Sequence, residues 1–458
     1  MNASTTVAFR KILGSAVAWG FAFTAIRGLG FLLVMAYALR TLPSSDIGVW
    51  YVMLNIAGLA MIVEFGFAAT ISRHASYYSG GATDVPRQGL SVTLAEGGPN
   101  RAALAGLLQM ARRLYLVFGI AVGIVMLVVW ACWIRFGNGG AGVTHVTTLR
   151  FLLLAAGSTF NMTGMFWTAV LFGLNRVRFH NQIQIAGLVV DYLAVLGGLL
   201  AGWGITALII GQLLVAFIPR MAARRHVLAL IGPVPADARV TIAWRDLWPT
   251  TWRSGAVTLC SYIYLQGTTF MCSLFTDLRT TASYGLILQM ALMLHSLSAM
   301  WVWVKHPQIG ALRVQSRLPD VVRLLCRRIP LSMATFVAGA TVLILLAPLL
   351  LGWLKSNTSP LPNLQMAALF SLVGLDLFLG HHSAILQTGN EVPQLPAFAA
   401  SAVLTILFAW PLGRLFHVWG VLAAPFAAQL VWSYWWTPWH CWKQLLRSAA
   451  GPAPRGAA

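Results

Sequence analysis

Apolar residues in this chain gather in long runs, most of them too long for buried strands and bounded by short polar turns. Runs of about 20 apolar residues match the helix length that crosses a hydrocarbon core about 30 Å thick. Twelve such spans are predicted, at 12–39, 48–72, 114–134, 149–172, 183–202, 204–220, 254–276, 284–304, 329–354, 364–388, 395–413 and 418–442. The fifth and sixth are split only by Trp203-Gly204, and Pro411 interrupts the eleventh. A membrane β-barrel requires alternating segments of about ten residues, which this pattern does not offer.

Charge changes the picture by giving the spans a direction. The chain has 458 residues, of which 58% are hydrophobic and 9% charged, and its net charge is +20. A soluble domain carries about 25% charged residues. With the N-terminus placed inside, 24 of the 31 Lys and Arg residues fall on the inner side, six fall outside, and Arg27 lies within a span. Positive residues collect on the cytoplasmic side of membrane proteins, so both termini are expected there. The same asymmetry accounts for the basic composition without nucleic acid. The first span is too long for a signal-peptide core and is expected to be retained.

Two inner segments are long. Residues 73–113 hold a Gly-, Pro- and Ser-rich part, then a stretch with Leu104, Leu107, Leu108 and Ala111 on one helical face. That stretch reads as an interfacial amphipathic helix. The other segment carries Gly232-Pro233-Val234-Pro235, a linker signal. It divides the chain into residues 1–220, a linker 221–253 and residues 254–458. Short matches recur in the same order in both halves. Trp203-Gly204 with Gln212-Leu213 resembles Trp419-Gly420 with Gln429-Leu430, and Leu39-Arg40-Thr41 before Gly48 resembles Leu278-Arg279-Thr280 before Gly285. Six spans return the chain to its starting side, so the repeats run parallel, as in many secondary transporters.

Candidate chemistry is sparse. No hydrolase, kinase or metal motif is present, and there is no phosphate-binding Gly-Lys loop for ATP. No catalytic residue and no cofactor is expected, and the chain is read as a non-enzyme. The five cysteines are scattered and read as packing residues. Arg27 lies 17 residues after Arg10, roughly 25 Å along a helix. Such a guanidinium either binds a phosphate through two parallel hydrogen bonds or pairs with Glu64 or Asp191. Glu64, Asp191 and Asp376 lie inside spans and are candidates for proton or cation coupling, or for silent protonated groups. His295, His381 and His382 read first as packed, neutral side chains. The tryptophans from Trp432 to Trp442 read as an interfacial belt.

Leu42-Pro43-Ser44-Ser45-Asp46-Ile47-Gly48, followed by Glu64-Phe65-Gly66 and Arg73, resembles the polysaccharide repeat-unit flippases of the multidrug/oligosaccharidyl-lipid/polysaccharide exporter superfamily. The close match covers roughly residues 10–75. This chain has Glu64 where Asp is common in the family. The resemblance implies an all-α polytopic protein of about twelve transmembrane helices, in two six-helix lobes around a central cavity. It implies transport of an undecaprenyl-pyrophosphate-linked oligosaccharide from the inner to the outer leaflet of the cytoplasmic membrane, by alternating access, for O-antigen or capsule-type surface polysaccharide. A polysaccharide polymerase or ligase would be the downstream partner, and membrane lipids the surroundings. Arg27 fits a cavity-lining arginine of the superfamily, and Arg253, Lys305 and a protonated His295 would supply cationic contacts in the second half. The alternative within the same fold is a cation-coupled exporter of drugs or other small molecules, using Glu64, Asp191 and Asp376.

Overall fold

The structure is a computed structural model that describes residues 16–83, 99–136, 144–234, 242, 244–303, 305, 309, 312, 317–387 and 392–449. The expected positions Arg10, Lys11 and Pro235, and most of the Gly-, Pro- and Ser-rich part of 73–113, lie outside these residues. The described residues form fifteen helices and no strand. They are α1 (Ala16–Thr41), α2 (Ser44–Glu64), α3 (Phe67–Ser79), α4 (Arg101–Phe136), α5 (His145–Gly173), α6 (Val177–Leu200), α7 (Ile205–Ile231), α8 (Trp244–Tyr264), α9 (Gly267–Phe275), α10 (Leu278–Trp303), α11 (Leu318–Trp353), α12 (Asn363–Gln387), α13 (Leu395–Phe416), α14 (Val418–Val431) and α15 (Ser433–Ala449). Eight helices are long and apolar enough to cross a membrane by themselves. The protein is a multi-pass membrane protein.

Fifteen helices replace twelve spans because three spans break. The second breaks where Phe65 and Gly66 both adopt positive φ, 51° and 76°. The seventh breaks between Tyr264 and Gly267, and the twelfth at Trp432. The Trp203-Gly204 boundary is a true turn, with Gly202 and Gly204 both at positive φ. Pro411 does not break its span: α13 runs through it.

The amphipathic stretch before the third span is not a separate interfacial helix. It is the start of α4, a single helix of 36 residues. The physical reason is a continuous buried stripe: Leu104, Leu107, Ala111, Tyr115, Gly119, Val122, Met126, Trp130 and Trp133 recur every three or four residues and all face inward. Asn100 starts the helix by accepting a hydrogen bond from the Ala103 N–H at 3.0 Å. In the second half, α11 also has 36 residues. At 1.5 Å per residue each measures about 54 Å, well beyond the hydrocarbon thickness. The outward face of α4 is apolar as well, with Leu116, Val117, Ile120 and Ile124 all more than half exposed. Such a stripe is costly in water and natural against lipid.

The helices cluster into two compact units. The first holds α1, α2 from Ile56, α3 to α7, and α8 as far as Gly255. Its core includes Trp130 stacked on Phe151 at 4.2 Å. Here α7 runs on from Arg220 to Ile231, so the segment read as a linker begins as helix.

The second unit holds Ile47–Asn55 of α2, the rest of α8, and α9 to α15. The start of α2 is bound there by close backbone approach. A side chain at Gly48 would collide with the Leu278 carbonyl, and one at Gly285 would meet the Tyr51 ring. These two glycines occupy matching places in the weak internal repeat. The Tyr262 hydroxyl donates to the Asn55 carbonyl, adding a further tie.

Candidate functional site

In the first unit, α1 and α6 meet through Gly30. The ring of Tyr192 lies where a Gly30 side chain would be, and its hydroxyl donates to the Arg27 carbonyl at 2.9 Å. This fixes the Arg27 backbone while its side chain stays exposed. Among the described residues no carboxylate lies within ion-pair distance of the Arg27 guanidinium. The pairing with Glu64 or Asp191 that the sequence left open is therefore not made.

Glu64 is occupied otherwise. Where α2 ends and α3 begins, the N–H groups of the first turn lose their helical partners. The Glu64 carboxylate turns back to accept from the Gly66 N–H at 3.2 Å and from the Ala68 N–H. The Tyr115 hydroxyl of α4 donates to it at 2.6 Å. The side chain is buried, so the break in the second span is held by one internal acidic cap.

Asp191 on α6 packs against Gly211 and Val195, in a space that only a glycine on α7 leaves open. It forms no ion pair and no side-chain hydrogen bond among the described residues.

One functional-looking residue escaped the sequence reading. Arg220 sits at the sixth span's inner end, where it counts as a cytoplasmic charge. Instead its side chain turns inward along α5, with its stem passing Gly164, where an added methyl would lie 3.4 Å from it. Its Nε donates to Asn161 Oδ1 at 3.2 Å and its Nη1 to Thr168 Oγ1 at 3.1 Å. The signal in the sequence was Asn161 and Thr168, two turns apart among the polar residues of the fourth span. Beside Thr168 opens a cavity of about 410 Å³ lined by α3, α5 and α6.

The second unit brings together two residues that the sequence assigned to different tasks. His295 on α10 and Asp376 on α12 stand 3.4 Å apart as an ion pair, both partly shielded from solvent. Tyr264 of α8 and Tyr434 of α15 lie within electrostatic range of Asp376. The Tyr434 hydroxyl is buried without a hydrogen-bond partner. His381 and His382 are buried beside this helix face. His381 Nε2 is 2.9 Å from Ser332 Oγ, and His382 Nδ1 is 2.8 Å from the Phe378 carbonyl. Those bonds are what packed, neutral imidazoles require.

Arg253 is exposed on α8 with its guanidinium 5.7 Å from the Trp252 ring centre. Lys305 follows α10 in a turn that its N–H closes onto the Val302 carbonyl.

No family model and no curated protein matches the chain. Solved structures do. The chain is similar to a lipid II flippase MurJ in an inward closed conformation, with a TM-score of 0.64 and 12% identity, over 94% of this chain and 90% of that one. It is also similar to an outward-facing multidrug resistance MATE family transporter of the MOP superfamily, with a TM-score of 0.59 and 14% identity, over 96% and 99% of the two chains. An inward-facing multidrug resistance MATE family transporter gives 0.57 and 14%, over 92% and 96%. The all-helical MATE/MurJ-like transporter fold is thus the fold of this chain.

Proposed function

We propose that the protein is a flippase for an anionic lipid-linked oligosaccharide of the undecaprenyl-pyrophosphate class, carrying it from the inner to the outer leaflet by alternating access. The observation that carries this reading is Arg27. An ionised side chain deep in a span costs about 2.5–3.5 kcal/mol on insertion scales. Here that cost is not offset by a carboxylate, and the guanidinium is exposed with its donors free. A planar fork of this kind suits a phosphate oxygen pair. The fold shared with a lipid II flippase supports the same reading. The product would feed surface polysaccharide such as O-antigen or capsule, through a polymerase or ligase. The setting would be the cytoplasmic membrane with both termini inside, and the work would be transport without catalysis. Arg253 and Lys305 would add weaker cationic contacts to the substrate.

The test is complementation of surface glycan, run beside a membrane-abundance blot. Arg27→Ala should abolish surface glycan at normal abundance, and Arg27→Lys should keep part of it, because lysine retains the charge and loses the fork. Normal glycan with abundant Arg27→Ala protein would refute the role.

A second reading, a cation-coupled exporter of small molecules, is favoured by the His295–Asp376 pair and by the MATE neighbours. The pair also suits proton or cation coupling of a flippase. In either case His295 is assigned to coupling with Asp376 rather than to the substrate.

A further inference from the structure

The first unit contains a partly buried positive charge that no carboxylate pairs with among the described residues. Arg220 is engaged by two neutral acceptors, Asn161 and Thr168, and no carboxylate is within ion-pair distance among the described residues. A cation partly withdrawn from water without a counter-ion carries a desolvation cost, and reducing that cost favours binding an anion. Thr168, which takes the Arg220 N–H, also gives its own proton to the Met165 carbonyl at 2.8 Å. Its hydroxyl is therefore fixed, and it forms part of the wall of the 410 Å³ cavity.

That cavity has the shape and chemistry of an amphiphile site. Gly173 closes one end: a side chain there would overlap the Ser72 carbonyl, so α5 and α3 touch and the space opens beyond them. Ala68, Met165, Ala169 and Phe172 give apolar walls, and Ser72, Thr168 and His180 give three polar groups. His180 Nδ1 is buried without a hydrogen-bond partner, and the ring lies within electrostatic range of Arg220. The turn from α5 to α6 and the start of α6, which border this space, carry Arg176 and Arg178, both exposed. The volume falls in the range of ligand sites, about 300–1,000 Å³. Basic pockets between membrane helices on the cytoplasmic side take anionic headgroups.

We propose that this cavity binds the phosphodiester headgroup of an anionic inner-leaflet phospholipid. Arg176 and Arg178 draw the lipid in, the phosphate oxygens approach Ser72, His180 and the field of Arg220, and the first carbons of the lipid lie on Met165, Ala169 and Phe172. This site is independent of Arg27 and of the transported substrate.

The experiment uses the purified full chain, delipidated in detergent, with native mass spectrometry and thermal unfolding as two readouts. The probes are phosphatidylglycerol, phosphatidylcholine with the same acyl chains, a polyprenyl phosphate, and inorganic phosphate. Phosphatidylglycerol should be retained and should raise the unfolding temperature, as a ligand of the native state does. Ala169→Phe fills the cavity and leaves every charge in place; it should reduce retention about tenfold, the equivalent of about 1.4 kcal/mol. Arg176→Gln with Arg178→Gln, both on the surface, should weaken it as well. Arg220→Gln should do the same where its lipid-free unfolding temperature is unchanged. Equal retention of phosphatidylcholine would overturn the proposal, as would phosphatidylglycerol retention insensitive to Ala169→Phe, which marks simple surface attraction. Preferential retention of the polyprenyl phosphate would assign the site to the substrate instead. Full stabilisation by inorganic phosphate alone would replace the lipid with a free anion.

Discussion

Glu64 and Asp376 are both carboxylates inside spans, and the two units use them in opposite ways. In the first unit the carboxylate is surrounded by donors that cannot change: two backbone N–H groups and a tyrosine hydroxyl. In the second, Asp376 faces the His295 imidazole at 3.4 Å, a ring that can be neutral or charged. The first arrangement holds a chain break in one geometry. The second has a partner able to share or release a proton. Burial and depth are the same kind of signal in both, so neither one identifies a coupling site. The partner does.

This contrast is broken most forcefully at Glu64. Glu64→Ala would leave the Gly66 and Ala68 N–H groups and the Tyr115 hydroxyl unpaired, each costing about 1–3 kcal/mol. Little folded protein should reach the membrane, which a blot and a fluorescence-detected sizing profile would reveal. Glu64→Gln keeps an acceptor and should recover part of the abundance. If Glu64→Ala were abundant and stable, the cap would not be what fixes the break.

Asp376→Asn tests the other side of the comparison. The substitution keeps size and hydrogen bonding and removes the charge opposite His295. Protein abundance should stay near normal while transport loses its dependence on the ion gradient. Unaltered gradient dependence in reconstituted vesicles would remove the pair from coupling.

Asp191 provides the finer control, because it is a carboxylate with no hydrogen-bond or ion-pair partner among the described residues. Gly211→Ala should destabilise by about 1–3 kcal/mol, since the new methyl overlaps the Asp191 carboxylate. Asp191→Asn should alter abundance least of the three acidic positions. A coupling defect in Asp191→Asn as large as in Asp376→Asn would show that an unpaired carboxylate serves as well as a paired one.

The sequence displayed what depends on composition and local order: the all-helical class and the apolar spans. Hydrophobic length and charge bias are one-dimensional quantities and survive without a structure. What it hid were relations between distant residues. His295 and Asp376 are 81 positions apart and meet only through the packing of α10 on α12. The break after Glu64 was within the quoted Glu-Phe-Gly motif, yet the need for a cap there is apparent only once Phe65 and Gly66 have left helical geometry. Arg220 was misplaced for a different reason. A basic residue at the end of an apolar run is usually an interfacial anchor, and only its bonds to Asn161 and Thr168, from another helix, show that it turns inward.

That last contact has an evolutionary reading. A methyl at Gly164 would meet the stem of Arg220 in ordinary contact, at 3.4 Å, whereas a longer side chain there would run into it, so the arginine holds that position to small residues. Descent should therefore be lopsided. Among homologues, lineages that lose the arginine are free to place a larger residue at the glycine column, whereas lineages with a larger residue there should lack the arginine. An alignment would then display a one-way dependency between two columns 56 positions apart, legible as history before any further structure is known.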